Sequence, residues 1–152
     1  MQRYYFDSSA LAKLYHTEPG SEVVEHLFRQ PAKQFLISRL TVLEITSVLG
    51  IKVRMGSLRV AAADALRDRF EAHCISGDIR IFAVMERDWR RAETLMFQYS
   101  YRYRLRSLDA LQLAVGLHLR ERAMVDEMIA SDLALCEIAA LEGLLVRNPE
   151  RS

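Results

Sequence analysis

The sequence has few of the residues that build disulfide frameworks, zinc sites or membrane spans. Its 152 residues include only two cysteines, Cys74 and Cys136, with no CxxC or Cys/His spacing. Neither a disulfide framework nor a zinc site is therefore indicated, and both thiols are expected to be small apolar fillers. No apolar run approaches the ~20 residues of a membrane span. The N-terminus lacks the pattern of a signal peptide, so we expect a cytoplasmic protein without a membrane partner.

Lysine is also scarce, because 18 of the 21 basic residues are arginine. The net charge of +1 does not by itself indicate a nucleic-acid binder. The planar fork of arginine suits phosphate, but a compositional bias of the source genome would give the same count. The composition therefore leaves nucleic-acid binding open.

The apolar content of 51% and charged content of 27% are those of a globular protein, and the length suits one domain over residues 1–152. Short apolar runs alternate with helical patterns, which predicts an α/β fold with a mainly parallel sheet. Predicted strands are Tyr4–Phe6, Phe35–Ile37, Ile79–Val84, Met128–Ala130 and Leu144–Val146. Predicted helices end near Leu14, Pro31, Met55, His73, Gln98, Leu119 and Glu142. The helix over Leu105–Leu119 is apolar nearly all round, which predicts burial.

Four acidic residues follow apolar strands or lie among apolar helical neighbours: Asp7, Glu44, Asp109 and Asp132. In a parallel α/β sheet such positions converge at one edge. Each acid also has a structural interpretation. Asp7 and Asp132 suit helix N-caps, Thr41-x-x-Glu44 matches a capping box, and Asp109 would favour a helix N-terminus.

Several ionised carboxylates come together only when protons or cations neutralise them. An oxygen-rich cluster without His or Cys selects a hard cation, Mg²⁺ or Mn²⁺. We therefore expect at least three of the four acids to share a metal site.

Three tyrosines alternate with three arginines just before Asp109, over residues 99–106. Aromatic faces stack on unpaired bases while guanidinium groups contact phosphates. We expect Arg102, Arg104 and Arg106 to bind substrate. The alternative is a loop in which the tyrosines pack and the arginines are only solvated.

Together these segments resemble the PIN domain family, and within it the VapC toxin ribonucleases of VapBC toxin–antitoxin pairs. The matching segments are Tyr-Phe-Asp7-Ser-Ser-Ala-Leu, Leu-Glu44-Ile, Leu105-Arg-Ser-Leu-Asp109-Ala-Leu-Gln-Leu-Ala, and Ala130-Ser-Asp132 through to Pro149. The resemblance implies a three-layer α/β/α sandwich with a five-stranded sheet. It also implies a Mg²⁺- or Mn²⁺-dependent endoribonuclease with the four acids as its active site, where the Ser9 hydroxyl helps to arrange the acids.

The chain departs from the family at two positions. Many relatives have His where Gln112 stands, which we expect to matter little. Many have Thr or Ser where Ala130 stands, and this leaves the role of the neighbouring Ser131 open.

The resemblance further implies RNA hydrolysis that leaves 5′-phosphate and 3′-hydroxyl ends, and a cognate VapB-like antitoxin that covers the acidic pocket. A bound metal ion would activate the attacking water. The helices over Ser38–His73 carry more apolar residues than one face needs, which suits a homodimer contact or an antitoxin groove.

Other functions remain open at this point. One is a catalytically idle PIN-like module that acts through a partner protein, and another is a nuclease that cuts DNA, since the 2′-hydroxyl alone distinguishes RNA. A haloacid-dehalogenase-like phosphatase would need a second Asp two residues after Asp7, where Ser9 stands.

Overall fold

Strands and helices alternate along the chain in the computed structural model, which describes residues 1–151. Its strands are β1 (Gln2–Phe6), β2 (Lys33–Ser38), β3 (Ile79–Phe82), β4 (Glu127–Ile129) and β5 (Val146–Arg147). Its helices are α1 (Ser8–Ala12), α2 (Ser21–Arg29), α3 (Arg39–Arg54), α4 (Val60–Ser76), α5 (Glu86–Tyr99), α6 (Ser107–Glu121) and α7 (Leu133–Leu141). No helix within residues 1–151 has the length and apolar character needed to cross a bilayer.

The five strands form one parallel sheet in the order β3-β2-β1-β4-β5. Tyr4 pairs with Phe35 of β2, and Tyr5 pairs with Met128 of β4. The strand order therefore changes direction beside β1, and ligands of such sheets bind where strands on either side of this point end. The predicted α/β fold with a parallel five-stranded sheet is confirmed.

The sheet separates two apolar clusters, because successive side chains of a strand point to opposite faces. Tyr4 and Phe6 of β1 belong to one cluster with residues of α1, α2, α3 and α4. Tyr5 belongs to the other cluster with residues of α5, α6 and α7. The predicted three-layer sandwich is thus confirmed, and β1 lies at its centre.

Tyr5 of β1 packs closely against α6 and bonds to the polar residue Gln112 of that helix. A Cβ atom added to Gly116 would lie 2.8 Å from the Tyr5 ring, so only glycine lets the ring approach this closely. The Tyr5 hydroxyl then donates to the carbonyl oxygen of Gln112 at 2.7 Å.

Several predicted boundaries were wrong by two residues. Helix α1 ends at Ala12 rather than Leu14, β3 ends at Phe82 rather than Val84, and α6 begins at Ser107 rather than Leu105. The last strand is Val146–Arg147 rather than Leu144–Val146. Leu144 is buried in the core after the turn at Gly143, whereas Arg147 pairs with Ile129 of β4, and its side chain also makes two 2.8 Å hydrogen bonds to Glu127.

Candidate active site

Asp7 lies between β1 and α1 and is 4% exposed. Its Oδ1 accepts a hydrogen bond from the backbone N–H of Ala10 at 2.8 Å, so the N-cap interpretation is confirmed. The Ser9 hydroxyl donates to the same carboxylate, at 3.3 Å from Oδ2 and 3.4 Å from Oδ1. Although Asp7 is buried and caps the helix, it also lines a cleft.

Glu44 lies on α3, and the predicted capping box there is wrong. The helix begins at Arg39 with Ser38 as its N-cap, so Thr41 is already inside the helix. The Oε1 atom of Glu44 accepts instead from the Ser8 hydroxyl at 2.6 Å and from Gln112 Nε2 at 2.9 Å. Contacts with α1 and α6 thus orient this carboxylate.

Asp109 lies in the first turn of α6, where Arg106 is the N-cap residue. Arg106 Nε donates to Asp109 Oδ2 at 3.0 Å, and Arg106 Nη2 lies 3.9 Å from Asp132 Oδ2. Asp132 caps α7, because its Oδ1 accepts from the backbone N–H of Leu135 at 2.9 Å. Its N-cap interpretation is confirmed as well.

Three of the four predicted acids line one cleft of about 490 Å³ at the carboxyl end of β1. These acids are Asp7, Glu44 and Asp109, and Ser9 and Arg106 line the cleft with them. Asp132 is outside the lining and connects to the cleft through Arg106. Leu43, Val48 and Ile51 of α3 supply an apolar wall.

Burial and mutual repulsion both disfavour the ionised form of Asp7 in the cleft. The pKa of Asp7 is raised to about 7, mainly by burial and in part by the neighbouring carboxylates of Asp109 and Glu44, against the hydrogen bonds from Ala10 and Ser9. Burial also raises the pKa of Asp109, while Arg106 opposes that shift. A cation in the cleft would relieve this repulsion.

The donor set of the cleft suits a hard divalent cation, because its acidic ligands are all carboxylates and neither His nor Cys lines it. Within residues 1–151, however, no three acidic, His or Cys side chains are grouped as a ready-made metal site. In the structure, protein donors bond to each carboxylate: Ala10 and Ser9 to Asp7, Ser8 and Gln112 to Glu44, and Arg106 to Asp109.

The tyrosine and arginine segment before α6 is divided between core and surface. Tyr99 is buried and its hydroxyl donates to Glu142, and the Tyr103 ring packs 6.0 Å from the Tyr99 ring. Tyr101, by contrast, is 88% exposed, so the alternative in which the tyrosines pack holds for Tyr99 and Tyr103 and not for Tyr101. Arg102 and Arg104 are exposed outside the cleft lining, and Arg106 reaches into it.

Two residues of the site, Ser8 and Gln112, were not predicted from the sequence. Both bond to Glu44, although Ser8 was not among the predicted site residues and Gln112 was expected to matter little. The one signal was the polar Gln112 in the middle of the apolar run of α6, whose residues from Ala110 to Leu117 are buried. Ser131, whose role was open, has a buried Oγ atom without a hydrogen-bond partner in the part of the chain that the structure describes.

An all-parallel α/β/α sheet with carboxylates gathered beside its central strand defines the structural class. A family model described as PIN domain matches residues 4–141, and the chain belongs to that family.

Solved structures with the same fold cover nearly the whole chain. VapC20 of Mycobacterium tuberculosis, a Sarcin-Ricin loop cleaving toxin, has a TM-score of 0.66 and 18% identity over 93% of this chain and 96% of its own. FitAcB of Neisseria gonorrhoeae has a TM-score of 0.68 and 15% identity, over 98% and 99%. A Klebsiella pneumoniae toxin–antitoxin complex has a TM-score of 0.60 and 18% identity, over 96% and 97%. A search of curated sequences gave no match.

Proposed function

We propose that this protein is a Mg²⁺- or Mn²⁺-dependent endoribonuclease of the toxin–antitoxin kind. The observation that carries the proposal is the gathering of Asp7, Glu44 and Asp109 in one cleft beside the central strand. Membership of the PIN domain family supports it, as do similar folds among toxins and toxin–antitoxin complexes.

In this proposal, Asp7, Glu44 and Asp109 hold the cation, and Asp132 contributes from the edge of the cleft. The ion, when bound, supplies a water of lowered pKa and offsets charge on the phosphate. The Ser9 hydroxyl donates to Asp7 and keeps its carboxylate oriented toward the cleft. Arg106 forms an ion pair with Asp109 in the structure. In this proposal its guanidinium leaves that carboxylate and binds a phosphate of the RNA.

The exposed arginines extend this site toward the loop before α6. Arg102 and Arg104 lie on the surface four and two residues before Arg106, which suits contacts with successive phosphates of a single strand. Tyr101 is the one tyrosine of this loop that is exposed enough to stack on an unpaired base.

The apolar surface of α3 and α4 suits a protein partner. Leu43, Met55 and Val60 are 72%, 78% and 64% exposed, and a hollow of about 320 Å³ lies between the two helices. We assign this surface to an antitoxin segment, a homodimer contact, or both. Sedimentation of the purified chain, alone and with the antitoxin, tests each contact.

The test of the proposed activity is cleavage of labelled single-stranded RNA, and of DNA of the same sequence, by wild type and Asp7→Asn. We expect the wild type to cut RNA with Mg²⁺ or Mn²⁺, and we expect EDTA or the substitution to abolish cutting. Equal cutting of DNA would favour the DNA nuclease. If neither substrate is cut and Mn²⁺ does not bind, the idle interaction module becomes the better hypothesis.

A further inference from the structure

A buried polar network lies directly behind Glu44, in an otherwise apolar part of the core. Gln112 is 2% exposed on α6. Its Nε2 atom lies 2.9 Å from Glu44 Oε1 and 2.9 Å from the Thr41 hydroxyl. The Ser8 hydroxyl donates to the same Oε1 atom at 2.6 Å. Donors from α1 and α6 therefore converge on one carboxylate oxygen of α3.

The orientation of the Gln112 amide follows from its neighbours. The Ser38 hydroxyl lies 2.7 Å from Gln112 Oε1 and donates to it, while the Tyr5 hydroxyl, which donates to the Gln112 backbone carbonyl, lies 3.0 Å from the same atom. An ionised carboxylate can only accept, so the end of the amide that faces Glu44 must be the NH₂ group. This orientation gives Glu44 and Thr41 one amide N–H each and gives the Ser38 hydroxyl an acceptor, while the Ser8 hydroxyl lies 3.1 Å from Nε2.

This network holds only one of the two oxygens of Glu44. All hydrogen bonds that the carboxylate accepts from residues 1–151 end on Oε1, which leaves Oε2 to a ligand in the cleft. We propose that Gln112 and Ser8 are positioning residues that fix Glu44 Oε1 inside the protein and thereby present the carboxylate to the divalent cation. The inference rests on the proposed function, which gives Glu44 a cation to hold.

Donors that fix the orientation of a metal ligand strengthen binding of the metal without touching it, and their loss lowers metal affinity by about 10- to 100-fold. A merely structural Gln112 would change only the stability of the fold. The two roles are separated by the affinity of the metal-free protein for Mn²⁺, measured from the free ion by electron paramagnetic resonance.

The main variant is Gln112→Met, which keeps the length of the side chain and removes its donors. We expect Mn²⁺ affinity to fall by about 10-fold or more. Ser8→Ala, which removes the second donor and leaves a good helix former in α1, should lower the affinity in the same direction. In a Glu44→Gln background, Gln112→Met should cause no further loss, because it acts through that carboxylate.

The control is Tyr99→Phe, which removes a hydrogen bond to Glu142 from the same apolar cluster, away from the cleft. It should lower the melting temperature and leave Mn²⁺ affinity unchanged.

Wild-type affinity in both Gln112→Met and Ser8→Ala, with binding abolished in Asp7→Asn, would overturn the inference and leave the proposed function intact. An equal loss in the Glu44→Gln background would also overturn it. A wild type that binds no Mn²⁺ would remove the proposed metal site itself. Ser8→Ala carries the test alone if Gln112→Met does not fold.

Discussion

At the scale of single residues, the positive charge in the acidic cleft comes from the guanidinium group of Arg106. Arg106 donates to Asp109 at 3.0 Å and lies 3.9 Å from Asp132. Its side chain remains 64% exposed, so it can leave these carboxylates for a ligand. In the proposed function, this arrangement would make Arg106 a competitor of the metal ion for these carboxylates and a contact for a phosphate of the RNA.

Replacing Arg106 with Met should weaken RNA binding. A charge-assisted hydrogen bond contributes about 1.5 to 3 kcal/mol, so we expect roughly a 10- to 100-fold rise in the dissociation constant. Fluorescence anisotropy of a labelled RNA, in an Asp7→Asn background that prevents cutting, measures the effect. The control Arg67→Met changes an exposed arginine of α4. Equal RNA affinity in the two variants would show that Arg106 does not contact the substrate.

The acids of the site were predictable from the sequence because each follows a strand or lies in an apolar helix. The bonds that orient them were not predictable, because they join residues far apart in sequence. Ser8 and Glu44 are 36 residues apart, and Gln112 and Ser8 are 104 apart. Local spacing at Thr41 and Glu44 even indicated a different partner, which the start of α3 at Arg39 excludes.

At the scale of elements, α6 carries both a site acid and the packing that orients the central strand. Its first turn holds Asp109, and its middle holds Gln112 and Gly116. The absence of a side chain at Gly116 lets the Tyr5 ring of β1 lie against the helix. The helix therefore fixes β1, and with it Asp7, relative to Glu44.

Gly116→Ala should destabilise the protein by about 1 to 3 kcal/mol, because a Cβ atom would lie 2.8 Å from the Tyr5 ring. Urea unfolding measures this change. Gly50→Ala is the matched control on α3, where the Cβ would meet only the flexible end of Arg54 at 3.3 Å. It should stabilise by about 0.5 to 1 kcal/mol through helix propensity. A Gly116→Ala protein as stable as the Gly50→Ala protein would contradict this packing.

Element order and type followed from the sequence, since the apolar runs and helical patterns are local signals. Element ends did not, because tertiary contacts set them. Arg147 was not expected in a strand, yet it pairs with Ile129 of β4, and its carbonyl oxygen accepts from the backbone N–H of Ala130 at 3.1 Å. Whether the tyrosines before α6 pack or stack was left open by the sequence, and Tyr103 packs against Tyr99.

At the scale of the whole molecule, the two faces of the sheet have different chemical character. The α5, α6 and α7 face surrounds Tyr5 and the network around Gln112. On the other face, α4 packs through His73, whose Nδ1 lies 2.7 Å from the Tyr15 hydroxyl and whose ring lies 4.7 Å from the Phe28 ring. This contact ties α4 to α2 and to the segment after α1.

The stability of the protein should fall at mildly acidic pH through His73. Burial lowers the pKa of His73 below its usual 6.5, and Arg69 and Lys33 lower it further against the opposing effect of Asp78. Because the folded pKa lies below the unfolded one, the contribution is present above pH 6.5 and is lost as pH falls through the folded pKa. Thermal unfolding of wild type and His73→Phe between pH 5 and 8 measures it. A pH dependence that is the same in both proteins would exclude His73 as its source.

The central claim is that Asp7, Glu44 and Asp109 act together as one catalytic cation site. Its most direct test is the single-turnover rate of RNA cleavage in Mn²⁺ for Asp7→Asn, Glu44→Gln and Asp109→Asn, with the exposed Asp68→Asn of α4 as the control. We predict that each site variant loses about 100-fold or more, because each removes a ligand of the ion that activates water, and that the control keeps the wild-type rate. Wild-type rates in all three site variants would contradict the claim.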